Sequence, residues 1–149
     1  MSIRKILQFP DYRLRLLSKP IKIINKKTKK IIYDMFDTMY ANNGIGLAAP
    51  QINILKQIIV ISSLKPTMSE LVLINPVILK KNKKYINTIE GCLSIPKKTA
   101  KIKRSSCIKI QAINTYGKSF TLTAKSLLSI CIQHEIDHLI GKLFIDYIN

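Results

Sequence analysis

The chain has 149 residues, 47% apolar and 22% charged, values that fit one globular domain and exclude a disordered or fibrous protein. No segment approaches the ~18 consecutive apolar residues of a membrane span. Residues Met1–Gln8 lack the apolar run of a secretory signal, so the expected place of work is the cytoplasm, away from any membrane. The net charge of +17 invites an anionic partner such as ribosomal RNA, yet arginine appears only at positions 4, 13, 15 and 104 and lysine supplies the rest. A site built to grip phosphate would use more guanidinium forks, so drift toward A/T-rich codons accounts better for the lysines.

Asp11–Leu17 reads as a short helical turn behind Pro10, and Pro20 starts an extended piece. Asn25 is the expected N-cap of a helix running to about Tyr40, with Ile32, Met35, Phe36 and Met39 as its apolar stripe; Asn42-Asn43-Gly44 ends it. Gly44–Gln51 is an uncharged, small-residue loop. Gln57–Ser62 and Leu71–Asn75 have the apolar, β-branched content of buried strands, the second interrupted by Pro76. Ser106–Ile113 alternates with the two-residue period of a half-buried strand, Asn114–Gly117 turns the chain, and Ser119–Thr123 returns as hairpin partner. A final helix is expected from about Ala124 to Ile140, stopped by Gly141. Without regular βαβ alternation the expected class is α+β, with mixed or antiparallel sheets packed around a central C-terminal helix.

That last helix carries His134-Glu135-Ile136-Asp137-His138, and the chain has no other histidine. Residues four apart share one helical face, so both rings can reach one ion. Glu135 points roughly 100° around the helix from His134, where a carboxylate can touch a water on the ion without ligating it. The pattern therefore reads as a hydrolytic metal site with its acid/base alongside.

Catalytic sites of this kind commonly use three protein ligands and keep one position open. Three cysteines, odd in number and widely spaced, suggest free thiols or a ligand rather than disulfides. Cys92, within Glu90-Gly91-Cys92-Leu93-Ser94, is the candidate third ligand, since Gly91 would let the backbone approach an ion or substrate. Cys107 is expected on a strand as a structural thiol. Cys131, three residues before His134, is expected to line a pocket beside the ion. A Cys/His/His set suits iron(II), nickel or zinc.

Three segments in this order, Gly44–Gln51, Glu90–Ser94 and Gln133–His138, resemble the signature motifs of the peptide deformylases, and the likeness extends from Phe9–Leu14 through Asp34–Tyr40 to Gly141–Tyr147. The resemblance implies a single catalytic α+β domain over residues 1–149 that removes the formyl group from formyl-methionine of nascent polypeptides, releasing formate. It implies one divalent ion held by Cys92, His134 and His138, iron(II) in the cell, with zinc, nickel or cobalt able to take its place. It further implies Glu135 as the proton carrier, and the Gln51 amide and Leu93 backbone N–H as donors to the developing oxyanion. Ile45, Leu127, Ile130 and Cys131 would form the wall of the methionine pocket, and Gly46 and Gly91 would lie beside the substrate's amides.

The chain also departs from the family. Pro96-Lys97-Lys98-Thr99 stands where relatives often have a substrate-contacting arginine, a contact that Lys97, Lys98 or Arg104 could supply instead. The chain stops at Ile145–Asn149, where many bacterial relatives continue into a helix that docks near the ribosomal tunnel; transient ribosome association through basic charge and a monomeric state are the expectations. The rival readings are a zinc peptidase, which would need a carboxylate such as Asp146 as third ligand, and a degenerate ribosome-associated protein with a structural ion.

Overall fold

Asn25 caps the first helix: its side-chain oxygen accepts from the Thr28 N–H at 3.0 Å, and α1 follows as Lys26–Ala41. The structure, a computed structural model, describes residues 2–148. Seven strands come next, β1 (Gly46–Ala48), β2 (Ile58–Ile61), β3 (Leu71–Lys81), β4 (Tyr85–Cys92), β5 (Ile95–Ser105), β6 (Cys107–Ile113) and β7 (Ser119–Lys125). Helix α2 (Ser126–Leu139) then carries the His-Glu-x-x-His pattern, and short 3-10 turns lie at Tyr12–Arg15, Ala49–Ile52 and Phe144–Tyr147.

Two sheets form, both antiparallel: one in the order β1-β2-β3-β6-β7, the other the β4-β5 hairpin. Strand β2 explains the architecture. All four of its residues are buried, because helices cover both faces of the sheet at that point. Ile58 and Val60 pack with Ile31, Ile32, Met35 and Met39 of α1. The alternate residues, Ile59 and Ile61, pack with Cys131, Ile132 and Leu139 of α2. Strands β6 and β7 keep a solvated outer face and so show the polar alternation read from their sequence. Among the described residues no helix is long and apolar enough to cross a membrane.

Three expectations change, and one stretch without an assigned element gains one. Strand β3 continues past Pro76 to Lys81, because its register with β6 shifts between Ile74 and Val77. A bulge is where a strand tolerates proline. Asn75, at φ 50°, fills it by bonding both the N–H and the carbonyl of Ile21 at 2.8 Å. The small-residue loop contains β1, paired with β2. The lysine-rich stretch Lys97–Lys103 lies within β5, whose exposed positions accept charge freely. Helix α2 starts at Ser126, two residues later than expected, because Ala124 and Lys125 remain paired to β6.

The N-terminal segment is held by one buried carboxylate. Asp34 accepts from the Ser2 N–H at 2.8 Å, from Arg4 Nε at 2.9 Å and from Lys30 Nζ at 3.2 Å. Burial pushes its pKa up, but Arg4, the Ser2 N–H and Lys30 together outweigh that and hold it below the ordinary value. A depressed carboxylate contributes stability that is present above its unfolded pKa and is lost as pH falls through its folded one. Denaturant melts at about pH 7, 4 and 2.5 should therefore show Asp34→Asn less stable than the parent at neutrality, with the gap closing below the aspartate value of 3.8.

Candidate metal centre

Cys92 ends β4, while His134 and His138 lie one turn apart on α2. Their ligating atoms are all within 4.8 Å of one another, and Cys92 Sγ is 3.4 Å from His138 Nε2. Donors arranged tetrahedrally at about 2.0–2.3 Å from one ion stand roughly 3.5 Å apart, so the cluster fits a divalent, borderline-soft metal. His138 is 1% exposed and sits behind the other two.

Glu90 organises this centre. Its Oε1 lies 2.9 Å from His134 Nδ1, which leaves Nε2 as the ligating nitrogen. The same carboxylate accepts from Arg104 Nε at 2.7 Å and from a second guanidinium nitrogen at 2.8 Å, a two-point fork. Arg104 also donates to Asp137 Oδ2 at 2.8 Å, and Asp137 accepts from the Tyr147 hydroxyl at 2.7 Å. Burial opposes charge on Glu90, yet Arg104 and His134 hold its pKa down at about 2. Burial likewise opposes a charged His134, but Cys92 and Glu90 raise its pKa to about 10, so an ion taken up at Nε2 would displace a proton. For His138, burial and the neighbouring positive charges of His134 and Arg104 act together and push it well below the ordinary value.

Glu135 is 5% exposed, and its Oε2 has no protein partner. An orphaned buried carboxylate oxygen in the cavity that Cys92 and His134 also line is suited to a water or substrate proton. Burial raises its pKa to about 7, with His134 and Arg104 partly offsetting the rise, so it can both take and give a proton near neutrality. Room for it comes from Gly46, where a Cβ would stand 2.8 Å from Glu135 Oε1.

Gln51 is held on both sides. Its Oε1 accepts from the Ala48 N–H at 2.9 Å, which fixes the amide's orientation and turns its NH2 toward Ser94 Oγ at 3.1 Å and Cys92 Sγ at 3.6 Å. Leu93 lies in the tight turn between β4 and β5, where its carbonyl accepts from Gln8 Nε2 at 3.2 Å.

A cavity of about 430 Å³ opens beside this centre. Ile45, Gly46, Gln51, Gly91, Cys92, Leu93, Leu127, Ile130, Cys131, His134 and Glu135 all line it, so the sequence-derived site residues, apart from the candidate ligand His138, meet at one opening. Burial pushes the Cys131 thiol up to about 12, which keeps it neutral. Gly91 is less constrained than its place in the motif suggests, since a Cβ there would meet Thr99 Cγ2 only at 3.6 Å.

Other assignments from sequence fall away. Arg104 is 4% exposed and fully engaged by Glu90 and Asp137, so it cannot contact substrate; Lys97 and Lys98 do line the cavity. Asp146 is forked to Arg15 at 2.6 Å, which removes the carboxylate a peptidase-type ligand set would need. Glu90, Ser94 and Arg104 are the site residues to which the sequence reading gave no part at the centre. One signal was available: Glu90 is the only acidic residue between Leu71 and Lys125, in a stretch with twelve lysines and arginines.

Three convergent soft and imidazole donors with a buried carboxylate next to one of them, on an α+β frame, define a metal-dependent hydrolase. Residues 3–149 match the family model described as polypeptide deformylase. The peptide deformylase of Buchnera aphidicola subsp. Acyrthosiphon pisum is 58% identical over 100% of this chain and 86% of its own length. That of Wigglesworthia glossinidia brevipalpis is 53% identical over 99% and 97%. The crystal structure of a peptide deformylase from Legionella pneumophila superposes with a TM-score of 0.95 at 40% identity, covering 99% of this chain and 87% of that one. The chain belongs to the peptide deformylase family, metal-dependent enzymes that remove the N-terminal formyl group from nascent polypeptides.

Glu90→Gln keeps the shape of the Glu90 side chain but removes the charge that orients His134. Chelator competition should show metal affinity lower by about 10–100-fold, while the folded cavity persists.

Proposed function

We propose that Cys92, His134 and His138 hold one divalent ion, iron(II) in the cell, and that Glu135 moves the proton during removal of the formyl group. When bound, the ion would supply Lewis-acid chemistry that lowers the pKa of a water toward neutrality. Glu135 would take a water's proton as that water's oxygen bonds to the formyl carbon, and pass it to the nitrogen as the C–N bond breaks, since the amine could not leave as an anion. The Gln51 amide, already oriented by Ala48, and the Leu93 backbone N–H donate to the formyl oxygen as it gains charge. Ile45, Leu127, Ile130 and Cys131 enclose the methionine side chain, with the backbone at Gly46 and Gly91 alongside the substrate's amides. The carrying observation is the orphaned, buried Glu135 oxygen on a residue that lines the same cavity as Cys92 and His134. A purely structural ion would need no such carboxylate, which favours catalysis over a degenerate, ribosome-bound role.

The enzyme is read as a monomer with one catalytic domain, at work in the cytoplasm and meeting nascent chains at the ribosome. Lys80 and Lys109 support the last point. They face each other directly across β3 and β6, a like-charge pairing that costs stability unless an anion screens it. Sedimentation with ribosomes should weaken steeply with salt and further in Lys80→Glu/Lys109→Glu; salt-independent binding, or none, counts against this docking.

Formate release from a formyl-methionine peptide, measured alongside metal content, tests the chemistry. Glu135→Ala should keep its metal and lose about 10²–10⁴-fold in kcat. Equal turnover by the two proteins would remove Glu135 from the reaction.

A further inference from the structure

The mouth of the catalytic cavity carries charge of one sign. Among its lining residues the acids are Glu90 and Glu135, both buried, and the charge of Glu90 is already met by Arg104 and His134. The exposed charges there are Lys97 and Lys98, which follow Pro96 on β5 and take part in no ion pair among the described residues. Lys101, also exposed, pairs in register with Ile89, another cavity-lining residue that is 73% exposed, so the positive rim continues up the hairpin. Lys97 has φ 70°, a left-handed conformation that a residue with a Cβ adopts only where the surrounding chain imposes it, so this hairpin fixes where the rim begins.

We propose that Lys97 and Lys98 make the enzyme charge-selective, favouring formyl-methionine peptides with an acidic side chain just downstream of the methionine and disfavouring basic ones. The inference rests on the reading of this cavity as the formyl-peptide site. A peptide whose methionine side chain fills the apolar end beside Leu127 and Ile130 has its following residues to place along an opening that offers two ammonium groups and no exposed carboxylate. Attraction at exposed positions is modest and screened by salt. It acts far from the reacting carbon, equally in the ground and transition states, so it alters KM and leaves kcat alone.

The test compares kcat/KM for three C-terminally amidated peptides, formyl-Met-Ala-Xaa-Ala with Xaa as Glu, Gln or Lys, using the metal-loaded enzyme. At low salt the Glu peptide should exceed the Lys peptide by about five- to twentyfold, through KM, with the Gln peptide between them; high salt should compress the series. Lys97→Gln/Lys98→Gln should flatten the order and Lys97→Glu/Lys98→Glu should invert it. Lys26→Glu/Lys27→Glu changes net charge equally but at the far end of α1, roughly 24 Å of helix from the cavity-side terminus, and should leave the order intact. Equal rates for the three peptides, or an equal shift from the Lys26/Lys27 variant, would overturn charge selection by this rim while leaving deformylation standing. No formate from any peptide would overturn both.

Discussion

One carboxylate, that of Glu90, ties the candidate metal centre to the scaffold. It reaches from β4 to a ring on α2 and to the guanidinium of Arg104 on β5, so three elements share one small, buried charge cluster. Burying charges is costly, and the cost is offset only where every donor and acceptor is matched. Here the matching is dense: Arg104 spans Glu90 and Asp137, and Asp137 also takes the Tyr147 hydroxyl. The C-terminal turn at Phe144–Tyr147 is thereby bound to the back of the centre, and Phe144 stacks near His134 with ring centroids 6.3 Å apart. Loss of any one member would leave others charged, buried and unpaired, so the cluster fixes the geometry more than it adds stability.

Much of the centre was legible in the sequence because its chemistry depends on short-range spacing. His134 and His138 at i and i+4 must share a face on any helix, and Leu127 and Cys131 at matching intervals extend that face into the pocket wall. The hairpin β4-β5 was less legible. Its strands carry apolar and charged residues without a clean two-residue period, since one side is open to solvent and only Ile95, Ile102 and a few others reach a core shared with Leu143 and Phe144. Pro76 was misleading for a different reason: whether proline ends a strand or sits in a bulge depends on a distant partner, here Ile21 bonded to Asn75. Arg104 looked available for substrate because nothing local shows a long side chain turned inward; its partners lie 14 and 33 residues away.

The placement of charge explains how a chain of net +17 tolerates its lysines. Most of the acids are engaged with named partners: Asp34 with Arg4, Asp11 with Arg13, Asp146 with Arg15, and Glu90 and Asp137 with Arg104. Arginine, with its fixed fork, takes these structural pairings, and the exposed strand positions go to lysine, where a hydrated ammonium costs little. All four arginines are therefore scaffold residues. This division leaves the rim of the cavity positive and its two acids, Glu90 and Glu135, buried.

The proposed proton carrier, Glu135, is kept out of the donor cluster by the same geometry. Glu135 is adjacent in sequence to His134, yet the helix turns it toward β1, against the bare backbone of Gly46. A carboxylate drawn into the ligand set would lose its basicity to the ion, whereas one held beside it keeps a pKa that burial has already lifted to about 7. Any Cβ at position 46 would contact Glu135 Oε1 at 2.8 Å and force the carboxylate to move. Helix and sheet edge thus position one group jointly: α2 sets its direction, and the missing side chain on β1 leaves it the space to stay there.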